Sequence, residues 1–298
     1  MKPAPFDYYR PTSLAEALEI LRDLTHAGQS AKVLAGGQSL VPLLNMRLAR
    51  PDAVVDLNSL EAELGRIEVD GSALMVGALV RHWQVETDAR IAAAAPVLRE
   101  AERYVGHPAI RSRGTVGGSL AHADPAAELP VVATLLQASV TLANAERVRT
   151  VPVHEFFVTY LTTQLEVDEL LVQVTLPRIP PRTGQAIVEF SERHGDFALA
   201  MAAASATLEA DGRMAALRLV LGGVAGIPED LSPELLPLIG AEPGPDLGRH
   251  VVDAVMRTIT PDGDLHGSSE YRRELAATMA TRALDAALGR AQTGPKSA

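Results

Sequence analysis

The 298-residue chain contains no cysteine. That excludes disulfides, thiolate zinc sites, a cysteine nucleophile and any Cys-ligated iron–sulfur cluster within it, so a cluster serving this protein has to sit on another subunit. Aromatic residues are scarce at 4%, which leaves few platforms on which nucleobases could stack. Positive charge is also short, with 27 Lys and Arg against 37 Asp and Glu for a formal net charge of −10. A surface of that sign does not suit nucleic acid or an anionic membrane, because backbone phosphates are bound mainly by clusters of Lys and Arg. No run approaches the ~18 apolar residues that span a bilayer, and the start, Met1-Lys2-Pro3-Ala4-Pro5-Phe6-Asp7, lacks the charged-then-apolar pattern of a signal peptide. A cytoplasmic location is the expectation.

What is present is a 47% hydrophobic composition, enough for one or two ordinary cores, with two domains expected. Ser13-Leu14-Ala15-Glu16 reads as a capping box, and Leu14, Leu18 and Leu21 form one stripe, predicting a helix over 13–24. Ala31 to Ala35 reads as a short strand, followed by a helical turn or two over 40–48 with Pro42 in its first turn. Further strands are expected at 52–57, 73–78, 139–143, 147–153 and 169–176, and helices at 82–88 and 97–105. Asp124-Pro125 reads as a helix start. The run Pro177-Arg178-Ile179-Pro180-Pro181-Arg182-Thr183-Gly184 is the clearest boundary. Beyond it, segments 185–192, 199–208 and 214–222 suggest a small antiparallel sheet, with helices over most of 232–291. The small residues of 197–208 suit close packing of layers.

Two loops stand out. Val33-Leu34-Ala35-Gly36-Gly37-Gln38-Ser39-Leu40 and Gly114-Thr115-Val116-Gly117-Gly118-Ser119 each pair glycines with hydroxyl or amide side chains, a composition that lets backbone N–H groups close on a pyrophosphate. Either could be only a turn, but together they suggest two walls of one site. Neither is a Walker A loop, no G-x-G-x-x-G occurs, and Ser39 is not in a nucleophile elbow. His122, Asp124 and Glu128 lack a second histidine or a recognised metal spacing, so they read either as acceptors for the hydroxyls of a ribose or polyol or as an acidic helix start. Asp262-Gly263-Asp264-Leu265-His266-Gly267 resembles the opening of an EF-hand loop but reaches Arg273 where a bidentate Glu is needed, and reads as a turn capping the last helix. His107, His154 and His250 read as structural or exposed.

The two loops, with Asp124-Pro125 after them, resemble the FAD signatures of the medium flavoprotein subunit of molybdenum hydroxylases, of the aerobic carbon monoxide dehydrogenase type. The likeness runs nearly end to end, through Phe6-Asp7-Tyr8, Val54-Val55-Asp56-Leu57, Val76-Gly77-Ala78, Asp168-Glu169-Leu170-Leu171, His194-Gly195-Asp196-Phe197-Ala198 and Glu270-Tyr271-Arg272. It implies an α+β protein. Residues 1–177 would form a vanillyl-alcohol-oxidase-like (PCMH-type) FAD-binding domain of two α/β subdomains, about 1–57 and 58–177. Residues 184–292 would form a C-terminal domain with a small antiparallel sheet and a helical bundle.

The resemblance also implies that residues 33–40 and 114–119, Asp124, Glu128, Leu171 and Phe197 bind FAD, with no catalytic side chain and no metal in this chain. Partners would be a large molybdenum-binding subunit and a small subunit with 2Fe-2S clusters, in a dimer of heterotrimers. Gln38 stands where relatives commonly have His, Ser119 where Asn or Asp is frequent, and Phe197 where some have Tyr. The implied role is electron transfer to an external acceptor. A self-sufficient FAD oxidase and a scaffold without cofactor remain as alternatives.

Overall fold

A computed structural model describes residues 2–293. The N-terminal part begins with β1 (Asp7–Tyr9), α1 (Leu14–His26), β2 (Ala31–Leu34), α2 (Leu40–Asn45) and β3 (Ala53–Asp56). The three strands form a parallel sheet in the order β1-β3-β2. Ser13 caps α1 by accepting from the Glu16 N–H. The reciprocal arm of the expected box is displaced by one residue, since the Glu16 carboxylate accepts from the N–H and Oγ1 of Thr12. Ala17, Leu18, Leu21 and Leu24 are buried against β3 and Leu57, as helical periodicity requires.

The chain continues through α3 (Glu61–Leu64), β4 (Ile67–Val69), β5 (Ala73–Gly77), α4 (His82–Thr87), α5 (Ala89–Ala94), α6 (Pro96–Ala101), α7 (Pro108–Arg111), α8 (Val116–His122) and α9 (Glu128–Leu135). It then forms β6 (Ser139–Ala143), β7 (Val148–Pro152), α10 (Val153–Phe156), the hairpin β8 (Phe157–Thr159) and β9 (Thr162–Thr163), and β10 (Leu170–Pro177). The second sheet is antiparallel, ordered β4-β5-β10-β6-β7. Two expectations are corrected here. The helix expected over 97–105 ends at Ala101, where Glu102 turns inward and is fully buried. No helix starts at Asp124: Ala123, at φ 52°, ends α8 in the left-handed region, Asp124 Oδ1 accepts from the Ala126 N–H at 2.9 Å, and α9 starts only at Glu128.

The last sheet is antiparallel, ordered β11 (Thr183–Phe190), β12 (Ala200–Leu208), β13 (Met214–Gly222) and β14 (Glu229–Asp230). The proline-rich run thus lies between two different sheets. Alternation along β12 divides its side chains. Ala200, Ala202, Ala204 and Ala206 join one core with Ala276, Ala280, Ala283 and Ala287 of α12 (Ser269–Thr293). Met201 and Ala203 join the other core with Val131 and Val132 of α9. Methyl-sized side chains on both sides bring helix and strand close. Helix α11 (Asp246–Thr258) buries Leu247, Val251 and Val255 in the same core as α12. Helix α12 lies on β11 and β12, and α11 packs against α12.

Candidate functional site: a dinucleotide-sized cleft between three sheets

β2 delivers the chain into the first glycine loop, and β5 and α7 bring the second against it. The loops touch. A Cβ at Gly36 would lie 2.6 Å from the Gly114 Cα, so backbone meets backbone where no other residue fits. Gly37, at φ +74°, then turns the chain into α2. One polar network holds both loops. Asp56 accepts from the Tyr8 hydroxyl at 2.5 Å and the Asn58 N–H at 2.9 Å, and Asn58 Nδ2 donates to the Ala35 carbonyl at 2.9 Å. Arg81 in turn donates to Asn58 Oδ1 at 2.7 Å and to the Arg113 carbonyl. Burial works to raise the Asp56 carboxyl, but the Tyr8 and Asn58 hydrogen bonds outweigh it and hold the group below its ordinary value.

The joined loops form part of the wall of a cleft of about 1970 Å³, well beyond the ~300–1,000 Å³ of drug-sized sites. Val33, Ala35, Gly36, Gly37, Gln38, Ser39, Leu40, Gly114, Thr115, Gly117, Gly118, Ser119, Asp124, Glu128, Leu171 and Phe197 all line it. Two expected residues do not. Leu34 faces a smaller pocket behind the first loop, beside Asp56 and Asn58, and Val116 is buried in the core.

The loops are not equivalent. Among the described residues, the N–H groups of Gly36, Gly37, Gln38 and Ser39 have no acceptor, and such donors suit an anion. In the second loop the N–H groups of Gly114, Val116, Gly117, Gly118 and Ser119 already bond within the protein. This loop offers the Thr115 and Ser119 hydroxyls and close approach rather than an amide cradle. The four free amides of the first loop suit an anionic group, and the cleft has the volume to take a ligand larger than a drug-sized molecule.

Glu128 reaches the wall as the first residue of α9. Burial pushes its carboxyl up to about 7, with the nearby Glu102 charge acting in the same direction. A folded-state value above the unfolded one means stability is lost as pH rises from about 4.5 through 7, by on the order of 3 kcal/mol. Thermal unfolding between pH 5 and 8 should show this decline, and Glu128→Gln should flatten it; an unchanged slope in the variant would place its origin elsewhere.

Several wall residues are not among the expected ligands. His82 enters from the start of α4, and Tyr160 and Leu161 from the β8–β9 hairpin. At the C-terminal wall, Arg272 donates to the carbonyls of Leu199 and Gly223 and to Asp264 at 2.6 Å. Asp264 therefore latches a loop onto α12, while Ser268 Oγ makes the cap contact to the Tyr271 N–H. His107 packs on Gly195, where a Cβ would lie 2.5 Å from its Cε1. His154 is exposed beside Glu155, and His250 contacts the Glu234 carbonyl. Among the described residues no group of three His, Cys, Asp or Glu could hold a metal, and no helix is long and apolar enough to cross a membrane.

Comparison with known proteins agrees with this geometry. Residues 4–179 match the family described as the FAD binding domain in molybdopterin dehydrogenase, and residues 185–287 the carbon monoxide dehydrogenase flavoprotein C-terminal domain. The chain is 40% identical to the 6-hydroxypseudooxynicotine dehydrogenase complex subunit alpha of Paenarthrobacter nicotinovorans, over 98% of this chain and 97% of that one. It is 31% identical to the carbon monoxide dehydrogenase medium chain of Hydrogenophaga pseudoflava, over 97% and 99%. A solved carbon monoxide dehydrogenase from Hydrogenophaga pseudoflava superimposes with a TM-score of 0.92 at 32% identity, covering 97% of this chain and 99% of that one. Quinoline 2-oxidoreductase from Pseudomonas putida 86 gives 0.90 at 36%, covering 98% and 99%. The chain belongs to the FAD-binding family of the molybdopterin dehydrogenases and is an oxidoreductase subunit of the carbon monoxide dehydrogenase medium-chain type, with FAD as its cofactor.

Proposed function

We propose that this chain is the FAD-carrying electron-transfer subunit of a cytoplasmic molybdenum hydroxylase. It would work beside a large molybdenum-binding subunit and a small subunit with 2Fe-2S clusters, in a dimer of heterotrimers. The observation that carries this reading is the pair of joined glycine loops facing a dinucleotide-sized cleft, in a chain that cannot ligate a cluster through cysteine. When bound, FAD supplies the two-electron chemistry that links single-electron donors to an external acceptor. The protein's part is to hold it: the amides of 36–39 on the pyrophosphate, Thr115, Ser119, Asp124 and Glu128 along the hydroxylated linker, Leu171 and Phe197 beside the flavin ring. The proposed division is a PCMH-type FAD-binding domain over 1–177, with subdomains of about 1–57 and 58–177, and a C-terminal domain over 184–292.

Purification of the native complex tests this. It should contain flavin, molybdenum and 2Fe-2S clusters together with two further subunits, and turnover of a small molecule by the isolated chain would overturn the relay. Phe197, 73% exposed and on the cleft wall, gives a second check. Phe197→Ala should leave stability within about 0.5 kcal/mol yet speed reoxidation of the reduced flavin by dioxygen roughly several-fold, because a water-excluding ring is lost. An unchanged reoxidation rate in stopped flow would place Phe197 away from the flavin.

A further inference from the structure

The wall beneath the second glycine loop holds a buried pair to which neither the fold nor the relay assigns a task. His82 donates its backbone N–H to the Gly114 carbonyl at 3.1 Å. Its ring packs against that glycine, where a Cβ would sit 2.6 Å from Cδ2 and 3.0 Å from Nε2. Nδ1 is 3.2 Å from Oε1 of Glu102 and 3.0 Å from Oε2, with hydrogen-bond geometry only to Oε1. Glu102 is fully buried and its carboxylate has no other hydrogen-bond partner among the described residues. The far nitrogen of the ring, Nε2, has none at all, although the side chain is only 6% exposed and lines the cleft. A buried ring fixed at one nitrogen, lining a ligand cleft with its other nitrogen unpartnered, is placed to meet something in that cleft.

We propose that His82 contacts the bound dinucleotide through Nε2, that Glu102 is the positioning residue which fixes the ring, and that the pair carries more proton with the cleft loaded than without. This rests on FAD as the occupant. The reason lies in the charge inventory. The first loop offers a diphosphate only neutral amides, and the amides of the second are mostly already used, so an imidazolium against Gly114 supplies positive charge at the loop junction. Burial raises the Glu102 carboxyl despite the opposing pull of His82 and Arg111, so the pair does not hold a bare carboxylate cheaply. The proton comes from solvent and returns there on release. The charged groups around the pair are Glu86 and Arg111, ion-paired at 3.0 Å between α4 and α7; Arg81 and Arg113 at the loop junction; and Glu128 on α9 with Asp124 before it. Glu189 on β11 lies behind Glu128, and Glu100 on α6 is held by Arg290 of α12 at 2.5 Å.

Titrating the flavin-free full chain with FAD tests the pair, following flavin fluorescence for affinity and heats in two buffers of different ionisation enthalpy for proton uptake. Wild type should bind with net proton uptake near pH 8 and weaken as pH rises from 6 to 9. His82→Gln should bind about tenfold or more weaker and lose most of the uptake. Glu102→Gln should weaken binding and flatten the pH profile without lowering the melting temperature in proportion. Glu128→Gln, the control for the other titrating wall group, should keep the His82-dependent part. Wild-type affinity and uptake in His82→Gln overturn the proposal. If that variant does not fold, a flat wild-type affinity between pH 6 and 9 overturns it instead. A wild-type chain that binds no FAD would instead overturn the cofactor assignment on which the proposal rests.

Discussion

Replacing Gly36 by valine should yield a folded chain that purifies without flavin, with affinity for added FAD reduced by at least about a hundredfold. The side chain would enter a space already filled by backbone, 2.6 Å from the Gly114 Cα and 2.9 Å from the Arg113 carbonyl carbon. No rotamer relieves such a contact, so the loops must separate. Overpacking of this kind costs about 1–3 kcal/mol, a fraction of a domain's stability, because the loop junction lies outside the main cores. The larger loss falls on binding. The free N–H groups of residues 36–39 aim as a set, and moving the loop by even an ångström spoils several contacts together. Flavin-to-protein absorbance ratios after purification, and a titration of the flavin-free variant, read the effect. Stoichiometric flavin in Gly36→Val would show that the junction is not the cradle.

Removing Arg272 should produce the largest loss of stability. Its guanidinium, nearly buried, donates to Leu199 at the entry to β12, to Gly223 at the exit of β13 and to Asp264 in the loop before α12. Arg272→Ala leaves two inward carbonyls without their donor and frees that loop. A loss of about 3 kcal/mol is expected, or roughly 5–10 °C in melting temperature. Arg272→Lys should recover only part of it, because one ammonium cannot span three acceptors in a planar fork. The Asp264 carboxyl is held down to about 2, chiefly by the Arg272 hydrogen bond. A depressed carboxyl stabilises above its ordinary value and loses that contribution as pH falls toward 2, so the stability gap between wild type and Arg272→Ala should narrow as pH falls from about 4 toward 2. Equal melting curves for wild type and Arg272→Ala would refute the role given to this contact.

Much of the architecture is legible in the sequence because its signals are local. The α1 stripe, the small-residue run of β12 and the proline-rich break before β11 each follow from neighbouring residues. Glycine pairs likewise announce the loops. What the sequence hides is where local rules are overruled by distant partners. Asp124-Pro125 carries a helix-start signature, yet Asp124 caps Ala126 in a turn and α9 waits for Glu128. Glu102 sits in a helical pattern, yet its partner is His82, twenty residues back. The second loop has the composition of a phosphate cradle, but its amides bond to residues such as Val80 and Ala78, which only the assembled fold reveals. His82 and the β8–β9 hairpin reach the cleft through tertiary packing alone and leave no mark in their own neighbourhoods, and Arg272, though part of a segment that carries the resemblance, shows its three acceptors only in the assembled fold.

Helix α9 is buried along its whole length, packed against α6 and α8 of the N-terminal part and against β12 and β13 of the last sheet. During synthesis this has a cost in time. The ribosome finishes the helix at Leu135 but does not complete β13 until Gly222, an interval of roughly 4 to 17 seconds at common elongation rates. Throughout it, an apolar rod lies half covered on a nascent chain. Such a chain is a natural client for chaperones, and it sets a limit on dissection: a fragment stopped in the proline-rich run keeps that exposed face permanently and should aggregate.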